Sequence, residues 1–151
     1  MQMINQDLLA VASGTIAHQV NCQGVMGAGL AKKIADKWPC VRTQYLQFVS
    51  HNQSRQIDMM GLVQYVQVSD TLYVANCFAQ RGYGYGPDGQ IPKHTSYGAL
   101  VMCLETLGEP AFHRPVHIPL GMGCGLGGGN WMDVSKLIDI VAPTILVCKL
   151  T

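Results

Sequence analysis

A chain of 151 residues with a formal net charge of +1 has the length of one domain, and it lacks the charge excess that duplex nucleic acid or an anionic membrane surface would call for. Its 48% hydrophobic content and mean hydropathy of +0.17 describe a globular chain and argue against disorder. Six cysteines at 22, 40, 77, 103, 124 and 148 show no CxxC spacing, and no pair of histidines stands at ligand spacing, so neither a structural zinc site nor any other metal or cofactor is expected.

The N-terminus lacks a basic stretch ahead of an apolar core, and no segment reaches the length of a membrane span, so the expected location is the cytoplasm. Cys77 and Cys148 lie inside apolar runs and read as small buried hydrophobes of a reducing compartment.

In chain order, Val-, Ile- and Tyr-rich runs predict strands near 2–5, 14–21, 61–68, 71–78, 114–120 and 143–150. Helical patterns fall near 27–38, 41–51, 94–107 and 131–140. Pro39 after Trp38 marks a helix stop with an immediate restart, since proline is comfortable in a first turn. The run 62–68, then Ser69-Asp70, then 71–74, reads as a hairpin with a two-residue turn. The other strands alternate with helices, which points to a mixed sheet covered on both faces. No repeat or interdomain linker interrupts residues 1–151, which are expected to form one domain. The segment 79–93, with four glycines and two tyrosines, is the one long irregular loop and a candidate lid.

Two glycine clusters carry the chemistry. Gly24-Val25-Met26-Gly27-Ala28-Gly29-Leu30-Ala31 follows the strand ending at Asn21 and opens a helix. Gly121-Met122-Gly123-Cys124-Gly125-Leu126-Gly127-Gly128-Gly129 follows a second strand and precedes the helical Asn130-Trp131. Glycine is entropically costly to order, so a compact chain keeps such runs where the backbone needs positive φ or a close approach. Backbone amides beside a helix N-terminus suit an anion, and two such loops at the carboxyl edge of a sheet can grip a diphosphate from both sides. Neither is a Walker A loop, and the dinucleotide fingerprint is incomplete. Asn21 can donate to and accept from a ribose hydroxyl, or cap a turn. His18, inside its strand, reads as a core histidine, and Asp133 as a helix-dipole complement.

Asn21-Cys22-Gln23-Gly24-Val25-Met26-Gly27-Ala28-Gly29-Leu30-Ala31, together with Gly123-Cys124-Gly125-Leu126-Gly127-Gly128-Gly129-Asn130-Trp131, resembles the macrodomain family. The nearest likeness is to the branch of terminal ADP-ribose glycohydrolases, DNA-ADP-ribose hydrolase antitoxins, ADP-ribose-1''-phosphate phosphatases and small phage relatives, and it covers essentially the whole chain. The resemblance implies a three-layer α/β/α sandwich with a mixed, mainly parallel sheet and an ADP-ribose cleft. It implies that Asp7 accepts from the adenine amino group and that Leu8 contacts the ring. Asn21 would meet the distal ribose, with Gly24, Met26, Gly27, Ala28, Gly29 and Leu30 holding that ribose and a phosphate. Gly121, Gly123, Cys124, Gly125, Leu126, Gly127 and Asn130 would wrap the diphosphate.

Relatives often carry an aromatic residue near adenine where this chain has Cys148. Hydrolases of the branch commonly place a lysine just after the strand matching 72–78; here Cys77-Phe78-Ala79-Gln80-Arg81 stands instead, and a covalent route would need Lys93 to swing in. Some relatives use an aspartate in the second loop, where this chain has Gly127 and then Asn130.

Two functions follow. One is an enzyme cleaving a bond at the distal ribose of ADP-ribose 1''-phosphate or of an ADP-ribosylated macromolecule. In it Asn21 orients the ribose, a water positioned by the substrate phosphate attacks, and Gln80, Arg81 or His94 assists from the lid. The other is a non-catalytic module that reads or sequesters ADP-ribose or a related nucleotide. Oligomeric state is not legible.

Overall fold

A computed structural model of the chain describes residues 1–109 and 113–151. Six strands and four α-helices follow the expected order: β1 (Gln2–Asp7), β2 (Gly14–Asn21), α1 (Gly29–Lys37), α2 (Pro39–Ser54), β3 (Val63–Gln67), β4 (Leu72–Gln80), α3 (Tyr97–Gly108), β5 (Val116–Pro119), α4 (Trp131–Val141) and β6 (Leu146–Leu150), with a short 3-10 turn at Leu8–Ala10. The strands form one sheet in the order β1-β6-β5-β2-β4-β3. All neighbours run parallel except β3, which pairs antiparallel with β4.

Side-chain alternation along the central strands divides the core in two. Leu72, Val74 and Phe78 of β4 pack with Ile16 and Val20 of β2 against Ile34, Val41, Tyr45 and Val49 of α1 and α2. Ala75, Cys77 and Ala79 point the other way, with Ala17, against Leu100, Leu104, Val134 and Ile138 of α3 and α4. Successive strand residues face opposite sides of a sheet, so a strand apolar at every position is one covered on both. The result is the three-layer α/β/α sandwich with a mixed, mainly parallel sheet that the sequence implied. Phe78 is fully buried between Tyr45 and Phe48, with ring centroids 5.9 and 5.2 Å away. Burying such a side chain is worth about 2 kcal/mol or more.

Trp38 closes α1 and opens α2, with Pro39 at the first position of α2, as the stop-and-restart reading required. The hairpin differs from its expected form. Gln67 pairs with Tyr73, and Val68 N–H donates to Leu72 O at 3.0 Å, so three residues rather than two make the turn. The Ser69 hydroxyl decides it by accepting from the amides of Thr71 at 3.3 Å and Leu72 at 3.0 Å.

Strand register positions the cleft. Ile16 is level with His117, so Pro119, the end of β5, comes level with His18 two residues on. Residues 19–21 of β2 therefore extend past β5. From β2 the chain next builds β3 and β4 on one side, and from β4 it crosses back through α3 to β5 on the other. The gap between β2 and β5 is thus the switch point of an open α/β sheet, where ligands bind beyond the strand ends.

Candidate functional site: a glycine-walled cleft

A cleft of about 580 Å³ opens at that gap. Its floor is the end of β2, from His18 to Asn21, with Gln80 of β4 and Pro119 of β5 beside it. One wall is the start of α1, residues 27–31; the other is the second glycine loop; Tyr83, Gly84 and Tyr85 form a rim. The two loops approach closely enough that Leu126 Cδ1 lies 3.2 Å from where a Cβ on Gly29 would stand.

Asn21 builds the first loop. Its Oδ1 accepts from the amides of Gln23 at 3.0 Å and Val25 at 3.3 Å, and its Nδ2 donates to Val25 O at 2.8 Å. The buried Tyr45 hydroxyl lies 2.7 Å from Asn21 O and 2.8 Å from Oδ1, and accepts from Gly24 N–H at 3.2 Å. Burial pushes this hydroxyl up to about 12, so it stays a donor. Asn21 thus caps the turn, and its second Nδ2 hydrogen is not used by the loop. The helix that follows starts bare. Ala28 at its N-cap offers no side-chain acceptor, which leaves the first-turn amides and the positive helix end to the cleft.

The second loop is folded against Thr95. Thr95 N–H donates to Gly127 O at 3.0 Å and its hydroxyl donates to Gly123 O at 2.7 Å, while His94 N–H reaches Gly127 O at 2.9 Å. A Cβ on Gly127 would stand 2.6 Å from Thr95 Oγ1 and 2.7 Å from Gly123 O. No side chain, acidic or otherwise, fits there. Steric closeness to Thr95 therefore accounts for part of the glycine density, beside any approach of a ligand. Among the described residues, no protein acceptor takes the amides of Gly125, Leu126 and Gly127. The run does not end on an open helix terminus as its sequence suggested: Asn130 caps α4, its Oδ1 accepting from Met132 N–H at 2.9 Å. Among the described residues, the uncapped helix start that lines the cleft is that of α1.

Of the residues singled out by sequence, the cleft is lined by Asn21, Gly27, Ala28, Gly29, Leu30, Gln80, Gly121, Gly123, Gly125, Leu126 and Gly127. Others stand outside the lining. Leu8 is fully buried in the core, and the exposed Asp7 caps the 3-10 turn by accepting from Leu9 N–H at 3.0 Å. Gly24 packs towards Leu46 and Val49 of α2, and the buried Met26 presents its carbonyl to Arg42 at 2.8 Å. Cys124 packs against the α3–α4 side of the core.

The proposed assistants separate in the same way. Arg81 forms a two-point pair with Asp58 at 3.1 and 2.7 Å on an exposed face, beside a different hollow. The guanidinium holds the Asp58 carboxyl below its usual range. His94 braces the rim, its Nε2 2.8 Å from Gly84 O. Lys93 sits over the Tyr97 ring, 3.9 Å from its centroid. Among the described residues, no lining side chain is acidic or a Lys or Arg, and no cluster of His, Cys, Asp and Glu could hold a metal ion. Sequence reasoning missed His18 and Gln19 as floor residues. Their only signal was position, three and two residues before Asn21 respectively, on the strand that enters the cleft.

No protein-family model matches the chain, and comparison with curated proteins returns no match. Among solved structures, the chain is similar over 99% of its length to a Bacteroides thetaiotaomicron protein of unknown function, at 30% identity, 97% coverage of that chain and a TM-score of 0.81. It is similar over 99% of both chains to a macrodomain protein from Streptomyces coelicolor, at 26% identity and a TM-score of 0.77. Over 97% of its length it also resembles Thermosipho africanus DarTG in complex with ADP-ribose, at 16% identity, 40% coverage of that chain and a TM-score of 0.76.

Proposed function

Because the chain belongs to the macrodomain family, we propose that residues 1–151 act as one unit that binds ADP-ribose or a derivative of it. One observation carries the reading: two glycine walls, one of unclaimed loop amides and one a bare helix start, line a cleft of about 580 Å³ without a charged side chain between them. Neutral amides and a helix end are what a diphosphate takes in place of lysines, and the volume lies in the range of nucleotide-sized ligands. The ADP-ribose complex of the Thermosipho protein supports the choice of ligand. In this reading Asn21 turns its spare amide hydrogen to the distal ribose and the loops hold the two phosphates. Asp7, at the carboxyl end of β1 and in register with Leu150 beside the lining residue Thr151, serves the adenine amino group. Six unpaired cysteines suit a reducing cytoplasm.

Titration calorimetry and thermal denaturation with ADP-ribose test this. A ligand at a hundred times its Kd should stabilise the native state by about 2.7 kcal/mol. A folded protein that gives neither heat nor a raised Tm would overturn the proposal. Asn21→Ala should weaken binding by about tenfold or more, since it removes the loop's organising amide as well as a ligand contact. Arg81→Ala should change affinity by less than about twofold, its ion pair being exposed and outside the cleft.

Hydrolysis at the distal ribose is the second reading, favoured by Gln80, which β4 delivers to the floor beside the second loop. There it can position a water for attack on a substrate whose own phosphate supplies the charge. Incubation with ADP-ribose 1''-phosphate, ADP-ribosylated protein and ADP-ribosylated DNA separates the readings. Release of ADP-ribose marks an enzyme, and tight binding with no release marks a reader or sequestering module.

A further inference from the structure

Two side chains on the cleft floor end in acceptors that no protein group fills, and the groups behind them fix their orientation. On one face of β2, Gln44 O can only accept, so Gln64 turns Nε2 to it at 2.9 Å and its Oε1 towards Asn76. Asn76 donates to that oxygen from Nδ2 at 3.0 Å and so presents Oδ1 to His18 Nε2, 2.6 Å away. Nε2 must carry the proton, and Nδ1 keeps its lone pair. On the other face, Gly82 O takes Gln80 Nε2 at 2.8 Å, which turns Gln80 Oε1 towards Gln19. Thr95 gives its hydroxyl hydrogen to Gly123 O and offers a lone pair. Gln19 Nε2 donates one hydrogen to each, both at 2.8 Å, and its Oε1 is left bare.

His18 Nδ1 and Gln19 Oε1 are both buried without a protein partner, and both residues line the cleft. A buried acceptor left empty is costly, and native proteins keep few of them. Gly123 lies against Oε1, where a Cβ would stand 2.8 Å from it, so glycine is what keeps a side chain off that oxygen. Burial holds the His18 imidazole down at about 4, so it is neutral, with Nδ1 an acceptor, near pH 7.

We infer that His18 Nδ1 and Gln19 Oε1 are specificity-determining acceptors that take hydrogen bonds from hydroxyl or amino donors of the ligand seated in the cleft. The inference rests on the ADP-ribose reading and extends it. The floor reads the donor-bearing, uncharged parts of the nucleotide, and the same two lone pairs turn phosphate oxygens away towards the glycine walls.

The test uses protein with 15N-labelled histidine, and calorimetry on wild type and Gln19→Met. Free protein should show His18 as the Nε2–H tautomer, and saturating ADP-ribose should move its Nδ1 resonance upfield as that atom accepts a hydrogen bond. Gln19→Met should weaken ADP-ribose about tenfold. Its penalty should shrink for at least one of ADP, 2′-deoxy-ADP-ribose and inosine diphosphate ribose, whichever lacks the donor that Gln19 reads. Wild-type binding with an unmoved Nδ1 and an equal penalty across all four ligands would overturn the inference and leave the ADP-ribose reading standing. No binding of ADP-ribose by wild type overturns both. Should Gln19→Met fail to fold, the His18 resonance in the wild-type protein decides.

Discussion

Gly128→Ala should destabilise the protein by about 3 kcal/mol and weaken ADP-ribose binding by about tenfold or more. Gly128 holds φ at +72°, a conformation that costs an L side chain about 1–2 kcal/mol. The Cβ would also stand 2.4 Å from Pro92 O and 3.1 Å from Lys93 Cα. Both neighbours are backbone, so relief requires the loop to leave Thr95 and His94, and overpacking of this kind costs about 1–3 kcal/mol. Displacing the loop moves the amides of 125–127, which is how a residue outside the lining reaches affinity. Calorimetric unfolding should place the variant's Tm about 10 °C below wild type. Gly125→Ala is the control: nothing lies within 4 Å of its Cβ position and its φ is not in the left-handed region. Its stability should stay within about 0.5 kcal/mol of wild type. Equal melting of Gly128→Ala and wild type would show that the loop yields where the geometry says it cannot.

Acid should remove on the order of 3 kcal/mol through His18 alone, from its folded value of about 4 against an ordinary 6.5. The sign follows from proton counts. Between these values the unfolded chain binds a proton that the folded chain refuses, so stability falls as pH drops through the window and is level above it. His117 is lowered by burial too and adds in the same direction. Asp58, held low by Arg81, has the same sign but a lower window: its contribution is present above the carboxylate range and lost as pH falls through it. Urea unfolding between pH 4 and pH 7 reads the slope. His18→Asn should flatten most of it whatever it does to stability at pH 7, and an unchanged slope would assign the acid sensitivity elsewhere.

Much of the sheet was legible in the sequence because strands such as β4 are apolar at most positions, a pattern that survives without knowledge of partners. Both glycine loops were legible for a similar reason, since each is a local run between two regular elements. What failed was inference across space. In sequence Gln80, Arg81 and His94 read together as assistants from the lid, yet Gln80 ends a strand, and Arg81 turns to Asp58 on another face. Asn130 looked like part of the second loop and is the cap of α4. The meaning of His18 and Gln19 depends on Asn76, Gln80 and Thr95, which lie 58, 61 and 76 residues away in the chain. No window of local sequence contains those pairs. The three-residue turn at Ser69 was missed for a smaller reason, a single hydroxyl competing for two backbone amides.

The second glycine loop is already tied down before a ligand arrives, by Thr95, by His94, and by Gly129 N–H to Gly123 O at 2.9 Å. Glycine-rich backbone is the segment with the most freedom to lose, and here that loss falls on folding rather than on association. An encounter with the nucleotide then needs little rearrangement of this wall, so capture should proceed in a single kinetic phase governed by diffusion and orientation. Differences in residence time among related ligands would arise from how well each fits the fixed amides.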